Sequence, residues 1–208
     1  DKAWTKAVCF REPADRFVSA FKSKCGMADV DGNKNCREAF GHTPGKKRRA
    51  LLDGSLKSFR AALDQVSVNK SKAFGNVHFQ PAKDFCGGLD ATMDYYDMVH
   101  ILDKKKVPDQ VRTLFDHIGV DKNLTEALIQ RVVKTGGVIQ AEEREYFQRH
   151  HGIEIEWSVE PGHNTASKDK RTLRKWFGSP KNLERFQDIY NADYDVFGLE
   201  PIPFEKLH

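Results

Sequence analysis

Two side chains near the start of the chain have the chemistry and spacing of an anion-binding pair. Arg11 directly follows a strand-like run, and Ser19 lies on the polar side of the helix-like stretch after it. A guanidinium can hold a phosphate through paired hydrogen bonds, and a serine hydroxyl adds a small donor. Because ligands of open α/β sheets bind beyond the carboxyl ends of strands, Arg11 predicts a phosphate site there. The alternative is that Arg11 only closes a loop and that Ser19 is simply exposed.

Two histidine-containing segments add candidates for catalysis and binding. An imidazole can take a proton from a hydroxyl or donate to a developing phosphate charge, so His78 is the candidate catalytic residue. The alternative is a histidine packed beside Phe79 in a loop. His163 stands in a small polar stretch with Asn164 and Thr165, which makes it a candidate ligand contact.

The elements that must position these residues alternate between short strands and amphipathic helices, which predicts α/β or α+β architecture. Residues 5–10 predict a buried strand, and Pro13 is well placed as the first residue of the next helix. At about 100° per residue, one face of that helix is apolar and consists of Ala14, Phe17, Val18, Phe21 and Cys25. The opposite face is polar and carries Glu12, Arg16, Ser19 and Ser23.

The rest of the chain continues this pattern of helices with one further strand. Residues 26–45 are rich in Gly, Asn, Asp and Lys and predict a long surface loop. A second buried strand is predicted over residues 96–102, and a helix is predicted to begin at Pro108. Further helices are predicted over residues 56–66, 124–134, 141–151, 172–177 and 180–190, the last with Ser179 as its N-cap.

Composition limits the class of protein without identifying a ligand. A chain of 208 residues with 31% charged and 39% hydrophobic residues suits one compact domain, predicted over residues 1–208, and excludes a disordered chain. The net charge of +4 suits an anionic ligand but also suits no ligand in particular. The strand-like run begins almost at once, without a Met or a signal peptide, so we expect further sequence upstream of Asp1.

The four cysteines lack CxxC spacing and therefore do not predict a structural zinc site; no metal is expected. Cys9 lies in a predicted buried strand and is expected to be a free core thiol. Cys25 and Cys36 bracket a polar stretch within the predicted loop region, and we predict a disulfide that closes it. Cys86 is the alternative partner.

The segment over residues 10–21, FREPADRFVSAF, resembles the donor-binding motif of carbohydrate sulfotransferases, the Golgi enzymes that sulfate chondroitin, dermatan and related glycans. The family pattern is Arg-Asp-Pro, a few residues, Arg, two apolar residues, Ser-Ala and an aromatic. The resemblance implies that Arg11 and Ser19 hold the 3′-phosphate of the sulfuryl donor, 3′-phosphoadenylyl sulfate. Glu12 stands where Asp is usual, a change that keeps the charge.

Weaker matches follow in the order that the family has them. They are NVHFQ at 76–80 with FCG at 85–87, YDMV at 96–99, HNTAS at 163–167 and IYNADYDVFG at 189–198. The third of these resembles a stretch near the donor, which implies donor contacts for His163, Asn164 and Thr165. The shared order strengthens matches that are individually weak.

The resemblance implies an α/β fold with a central parallel sheet flanked by helices, similar to the P-loop nucleotide kinases. It implies transfer of a sulfuryl group to a hydroxyl of a carbohydrate acceptor in the Golgi lumen, where disulfides are permitted. The implied protein is a glycoprotein, attached to the membrane only through an N-terminal anchor upstream. The family's Lys-containing loop, which cradles the 5′-phosphosulfate, does not precede Arg11, so the chain corresponds to the larger, C-terminal part of the domain.

Two other classes of protein remain as alternatives. The missing loop supports a non-catalytic module that keeps the anion site, or binds glycans, without chemistry. The basic runs at 46–49 and 168–175 suggest binding of nucleic acid or sulfated glycan. No stacking aromatics are interleaved with the first run, which disfavours nucleic acid as a partner.

Overall fold

We describe the fold from a computed structural model of the chain. The structure describes residues 5–25, 30–41, 54–102, 106–135, 145, 148–149 and 172–207. Their contacts divide the chain into unit 1, Asp1–Phe10 with Tyr96–Lys168, and unit 2, Arg11–Tyr95 with Asp169–His208. Each unit is described by itself, and the single domain over residues 1–208 stays a prediction.

The described residues are mostly helical. The main elements are β1 (Ala7–Phe10), α1 (Pro13–Cys25), α2 (Val30–Phe40), α3 (Leu56–Val68), α4 (Lys70–Phe74), α5 (Leu89–Thr92), β2 (Met98–Ile101), α6 (Val107–His117), α7 (Lys122–Thr135), α8 (Leu173–Phe177) and α9 (Pro180–Val196). Short 3₁₀ turns lie at Ala82–Gly87, Met93–Tyr95 and Phe204–Lys206. No helix within the described ranges combines the length and the apolar character needed to cross a membrane.

Unit 1 contains a small parallel sheet and a pair of helices. β1 and β2 pair in parallel, with Ala7 opposite Met98 and Phe10 opposite Ile101. In the helix pair, Arg112 donates to Glu126 through Nε at 2.6 Å and through Nη2 at 3.0 Å, which ties α6 to α7. Both strands have four residues, shorter than the predicted 5–10 and 96–102.

The predicted burial of the two strands is wrong for most of their residues, because one residue of β1 and none of β2 is buried. Ala7 and Cys9 are exposed, and Phe10 is the buried residue of the four. Successive side chains of a strand point to opposite faces, and here one face of β1 is open to solvent. Cys9 is therefore a free thiol, as predicted, but it lies at the surface rather than in the core. The predicted central sheet is likewise not seen, because the described strands form one two-stranded sheet.

Unit 2 is built around aromatic rings that α1 contributes. All five residues of the predicted apolar face of α1 are buried, which confirms the helical phase. Phe17 lies at the centre, with five aromatic ring centroids 5.3–6.4 Å from its own: those of Phe40, Phe59, Phe79, Phe186 and Tyr190. Edge-to-face arrangements of this kind add to the stabilisation that burial alone provides.

The predicted surface loop over residues 26–45 is wrong, because α2 lies inside it. Cys36, Ala39 and Phe40 recur at three- and four-residue spacing and are buried on one face of this helix. The predicted disulfide between Cys25 and Cys36 is confirmed, and it joins the end of α1 to α2. Cys86, the alternative partner, is a free and exposed cysteine.

The later helices agree with their predictions apart from their ends. α3, α7 and α8 begin and end within two residues of the predicted bounds. Ser179 caps α9 as predicted, since its Oγ accepts from the Asn182 N–H at 3.3 Å. α9 has non-helical backbone at its predicted last residue, Tyr190 (φ −107°, ψ 17°), and helix continues beyond this kink to Val196, with Asp193 and Tyr194 buried. The predicted helix over 141–151 lies almost wholly outside the described residues.

Candidate anion-binding site

The structure brings the side chains of Arg11 and Ser19 together. Arg11 is the first residue after β1 in the chain, and Ser19 lies in the second turn of α1. Arg11 Nη1 donates to Ser19 Oγ at 3.1 Å. The Arg11 side chain is 39% exposed, and its Nε lies 3.9 Å from Asp15 Oδ2. The pair is thus formed at the surface, where a guanidinium and a hydroxyl can both donate to one anion.

Glu12 fixes the start of α1, directly beside Arg11. Its Oε2 accepts the Asp15 N–H at 2.7 Å, which satisfies one of the unpaired amides of the first helical turn. Its Oε1 accepts the Tyr194 hydroxyl at 2.7 Å. Burial raises the pKa of Glu12, while these two hydrogen bonds oppose that shift. Burial together with the Glu12 charge also raises the pKa of Tyr194, so the hydroxyl stays protonated and donates.

A buried ion pair lies one turn further along α1. Arg16 Nη2 is 3.7 Å from Asp193 Oδ2, and the Asp193 side chain is fully buried. The Asp193 carboxylate also accepts the N–H groups of Ala82 and Lys83, each at 2.9 Å. Arg16 in turn donates to the Gln80 carbonyl. Burial raises the pKa of Asp193, against the opposing effect of the two backbone amides and Arg16.

His78 lies in a turn that three helices hold in place. Its backbone N–H donates to Asn76 Oδ1 at 3.1 Å, and the Asn76 amide donates to Asn35 Oδ1 of α2 at 3.2 Å. From α9, the Tyr190 hydroxyl donates to the Phe79 carbonyl at 2.6 Å. Together with the bond from Arg16 to Gln80, these contacts fix the backbone on both sides of His78, which is itself half-buried. Its catalytic role stays a prediction.

These contacts join the three motif segments that unit 2 contains. The first motif meets the segment at 76–80 through Arg16, and it meets the closing segment through Glu12 and Asp193. A family model described as the sulfotransferase family matches residues 2–200 of the chain. The chain belongs to the sulfotransferase family. No curated protein and no solved structure gives a significant match to this sulfotransferase.

Membership of the family makes the protein a transferase of sulfuryl groups. The match includes Arg11, Ser19 and His78, and it extends through the closing segment that carries Asp193 and Tyr194. The match is to the sulfotransferase family as a whole and assigns no subtype or acceptor class.

The other predicted site residues of the sulfotransferase, His163, Asn164 and Thr165, lie outside the described residues. Within the part of the chain that the structure describes, no three His, Cys, Asp or Glu side chains are grouped so that they could hold a metal ion.

The reading of the sequence missed the roles of Glu12, Arg16, Asp193 and Tyr194. All four stand in motif segments, and Arg16 offered one signal. It is the second arginine of the family pattern, although its place on the predicted polar face of the helix did not indicate a buried acid partner. The identity of that partner gave no signal, because Asp193 lies far away in the chain.

Proposed function

We propose that this sulfotransferase uses 3′-phosphoadenylyl sulfate as its donor and that Arg11 and Ser19 bind the donor's 3′-phosphate. The observation that supports the proposal is the 3.1 Å hydrogen bond between the two side chains. It aligns one permanently charged donor and one hydroxyl within reach of the same phosphate oxygens. The half-exposed guanidinium also leaves a path by which an anion can approach.

The proposed acceptor is a hydroxyl group of a carbohydrate. Its oxygen attacks the sulfur atom in line with the bridging oxygen of the donor, and the bond between sulfur and that oxygen breaks. The sulfuryl group is transferred, and adenosine 3′,5′-bisphosphate leaves. His78 is proposed to take the proton that the hydroxyl loses, because its turn is anchored on both sides and an imidazole titrates near neutral pH. Transfer of this kind depends on positioning and charge stabilisation.

The proposal extends to the architecture and location of the protein. A central parallel sheet of the P-loop-kinase type would contain β1 and β2 among its strands. A carbohydrate acceptor and the disulfide between Cys25 and Cys36 suit the Golgi lumen, where disulfides persist.

The test is to replace Arg11 with Ala and to measure two ligands by calorimetry in the full-length protein. Arg11→Ala should weaken binding of adenosine 3′,5′-bisphosphate about tenfold or more, since a charge-assisted contact contributes roughly 1.5–3 kcal/mol. Binding of adenosine 5′-phosphate should hardly change, because it lacks the group that Arg11 contacts. Arg185→Ala, which removes a part-exposed arginine paired with Asp64, is the matched control and should leave both affinities unchanged.

The two ligands separate the possible outcomes of this experiment. Equal losses for both would show that Arg11 is only structural. Tight binding of the bisphosphate by Arg11→Ala would remove the main support for the proposed donor site. A protein that binds the bisphosphate selectively but transfers no sulfuryl group to any carbohydrate would be the non-catalytic module.

A further inference from the structure

Glu12 carries a partly buried carboxylate, and it is the residue after the arginine of the anion site. One oxygen caps α1 through the Asp15 N–H, and the other accepts the Tyr194 hydroxyl. Both oxygens therefore have a neutral donor, although Arg11 is the adjacent residue in the chain. Arg11 donates to Ser19 Oγ, and its Nε lies 3.9 Å from the Asp15 carboxylate, so its contacts are with Ser19 and Asp15 and not with Glu12.

Glu12 is a second carboxylate next to Arg11 in the chain, and its two oxygens accept from neutral donors rather than from the guanidinium. A carboxylate accepts from a guanidinium roughly twice as strongly as a neutral hydroxyl does. A buried acceptor that loses its donor seeks another, because leaving it unsatisfied costs about 1–3 kcal/mol. If the Tyr194 hydroxyl were absent, Glu12 Oε1 would need a new donor, and Arg11 would be the nearest cation in the chain.

We propose that Tyr194 is a positioning residue for the anion site: its hydroxyl occupies the Glu12 carboxylate, so that Arg11 stays on Ser19 and remains available to a phosphate. This inference rests on the proposed function, since it takes the 3′-phosphate of the donor as the anion. Tyr194 acts through Glu12 and does not contact the ligand. It lies on α9, so the closing segment of the chain helps to arrange the first motif.

The test removes only the hydroxyl, by Tyr194→Phe in the full-length protein. We expect affinity for adenosine 3′,5′-bisphosphate to fall about fivefold, which matches one ordinary hydrogen bond. Affinity for adenosine 5′-phosphate should not change. In an Arg11→Ala background, Tyr194→Phe should have no further effect on the bisphosphate, because the group that Tyr194 protects is gone.

Tyr190→Phe is the matched control. It removes another buried tyrosine hydroxyl from α9, one that donates to the Phe79 carbonyl and not to α1. Any effect of Tyr190→Phe on binding should be the same for the two nucleotides, whatever it does to stability.

A second-site change tests the mechanism itself. Glu12→Gln in the Tyr194→Phe background replaces the competing carboxylate with a neutral amide, so selectivity for the bisphosphate should return. If Tyr194→Phe alone is too unstable to measure, nucleotide selectivity is measured in this double variant instead.

The results for Arg11 and Tyr194 can be told apart. If Arg11→Ala weakens both nucleotides equally, the proposed donor site is wrong. If Arg11→Ala is selective but Tyr194→Phe weakens both nucleotides equally, or adds its full effect to Arg11→Ala, Tyr194 is merely structural. Failure of Glu12→Gln to restore selectivity would also overturn the inference.

Discussion

At the scale of single residues, the buried carboxylate of Asp193 connects α9 to two other segments of unit 2. It accepts two backbone amides at the start of the 3₁₀ turn Ala82–Gly87 and faces the guanidinium of Arg16 in α1. A buried polar group is stabilising only while its partners are present, and here the two amides share one acceptor side chain.

Asp193→Ala is therefore expected to lower the free energy of unfolding by about 3 kcal/mol or more. The change leaves two backbone amides without their acceptor and removes the carboxylate that faces Arg16, which keeps its bond to the Gln80 carbonyl. Urea unfolding followed by fluorescence measures the loss. Asp188→Ala on the exposed side of the same helix should change stability by less than about 0.5 kcal/mol. Similar losses for the two variants would mean that the Asp193 contacts contribute little.

The sequence could predict the pairing of Arg11 with Ser19 but not the contacts of Asp193. Arg11 and Ser19 lie in one motif, so local helical geometry suffices to bring them together. Asp193 accepts from backbone amides 111 and 110 residues away, and backbone amides are present at every position and give no signal in a sequence.

At the scale of elements, the end of α8 depends on another helix. Gly178 has a φ of 74°, and the Arg60 side chain from α3 donates to the carbonyls of Lys175 at 3.1 Å and Trp176 at 3.4 Å. The arginine thereby supplies partners for the carbonyls that the last helical turn leaves unpaired. A Cβ at Gly178 would lie 2.2 Å from Arg60 Nη2.

Gly178→Ala should cost about 2 kcal/mol of unfolding free energy. About half is the left-handed backbone, and the rest is the displaced Arg60. Gly198→Ala isolates the backbone contribution, because Gly198 has a φ of 59° and no described atom within 4 Å of its added Cβ. Thermal unfolding of both variants gives the comparison. If Gly198→Ala proved as costly as Gly178→Ala, Arg60 would not contribute to the end of α8.

Elements with a clear apolar period were predictable, and those held by distant contacts were not. The spacing of Phe17, Val18 and Phe21 fixes the phase of α1. α2 was missed because turn-forming residues dominate its sequence, and its helical form accompanies burial of Phe40 and the disulfide at Cys36. The extension of α9 was missed because the helix is kinked at Tyr190, although Tyr190, Tyr194 and Phe197 continue the buried face at spacings of four and three residues.

At the scale of the whole molecule, the two units differ in the kind of core they have. The extensive aromatic cluster, with Phe17 at its centre, belongs to unit 2. Among the unit 1 residues whose side chains are described, Phe10, Thr125 and Ile129 are buried. Local stability follows the density of buried apolar contacts, so the units should open with different free energies.

Native-state hydrogen exchange should therefore show less protection in α6 than in α1. We expect the slowest amides of α6 to exchange about tenfold faster or more, which corresponds to about 1.4 kcal/mol in opening free energy. Mass spectrometry of peptic fragments from the folded protein measures both helices in one experiment. Equal protection of the two helices would show that the chain opens as one cooperative body.

The sequence was least informative at this scale. Local periodicity predicts single elements, but parallel strands pair across long stretches of chain, and β1 and β2 are separated by a whole group of helices. The two-stranded sheet and the division into two units follow from such pairings. Composition and length predict neither the two-stranded sheet nor the division into two units.

The hydrogen bond between Glu12 and Tyr194 spans 182 residues, and this separation has a consequence for how the protein is made. α1 is translated long before Trp176 and Phe186, which pack beside its apolar face. Since translation adds about 5–20 residues per second, part of that aromatic face waits many seconds for these partners. Chaperones that bind apolar segments can therefore meet α1 before α8 and α9 exist, and a transcript truncated before α8 would yield a chain whose first motif never contacts Tyr194.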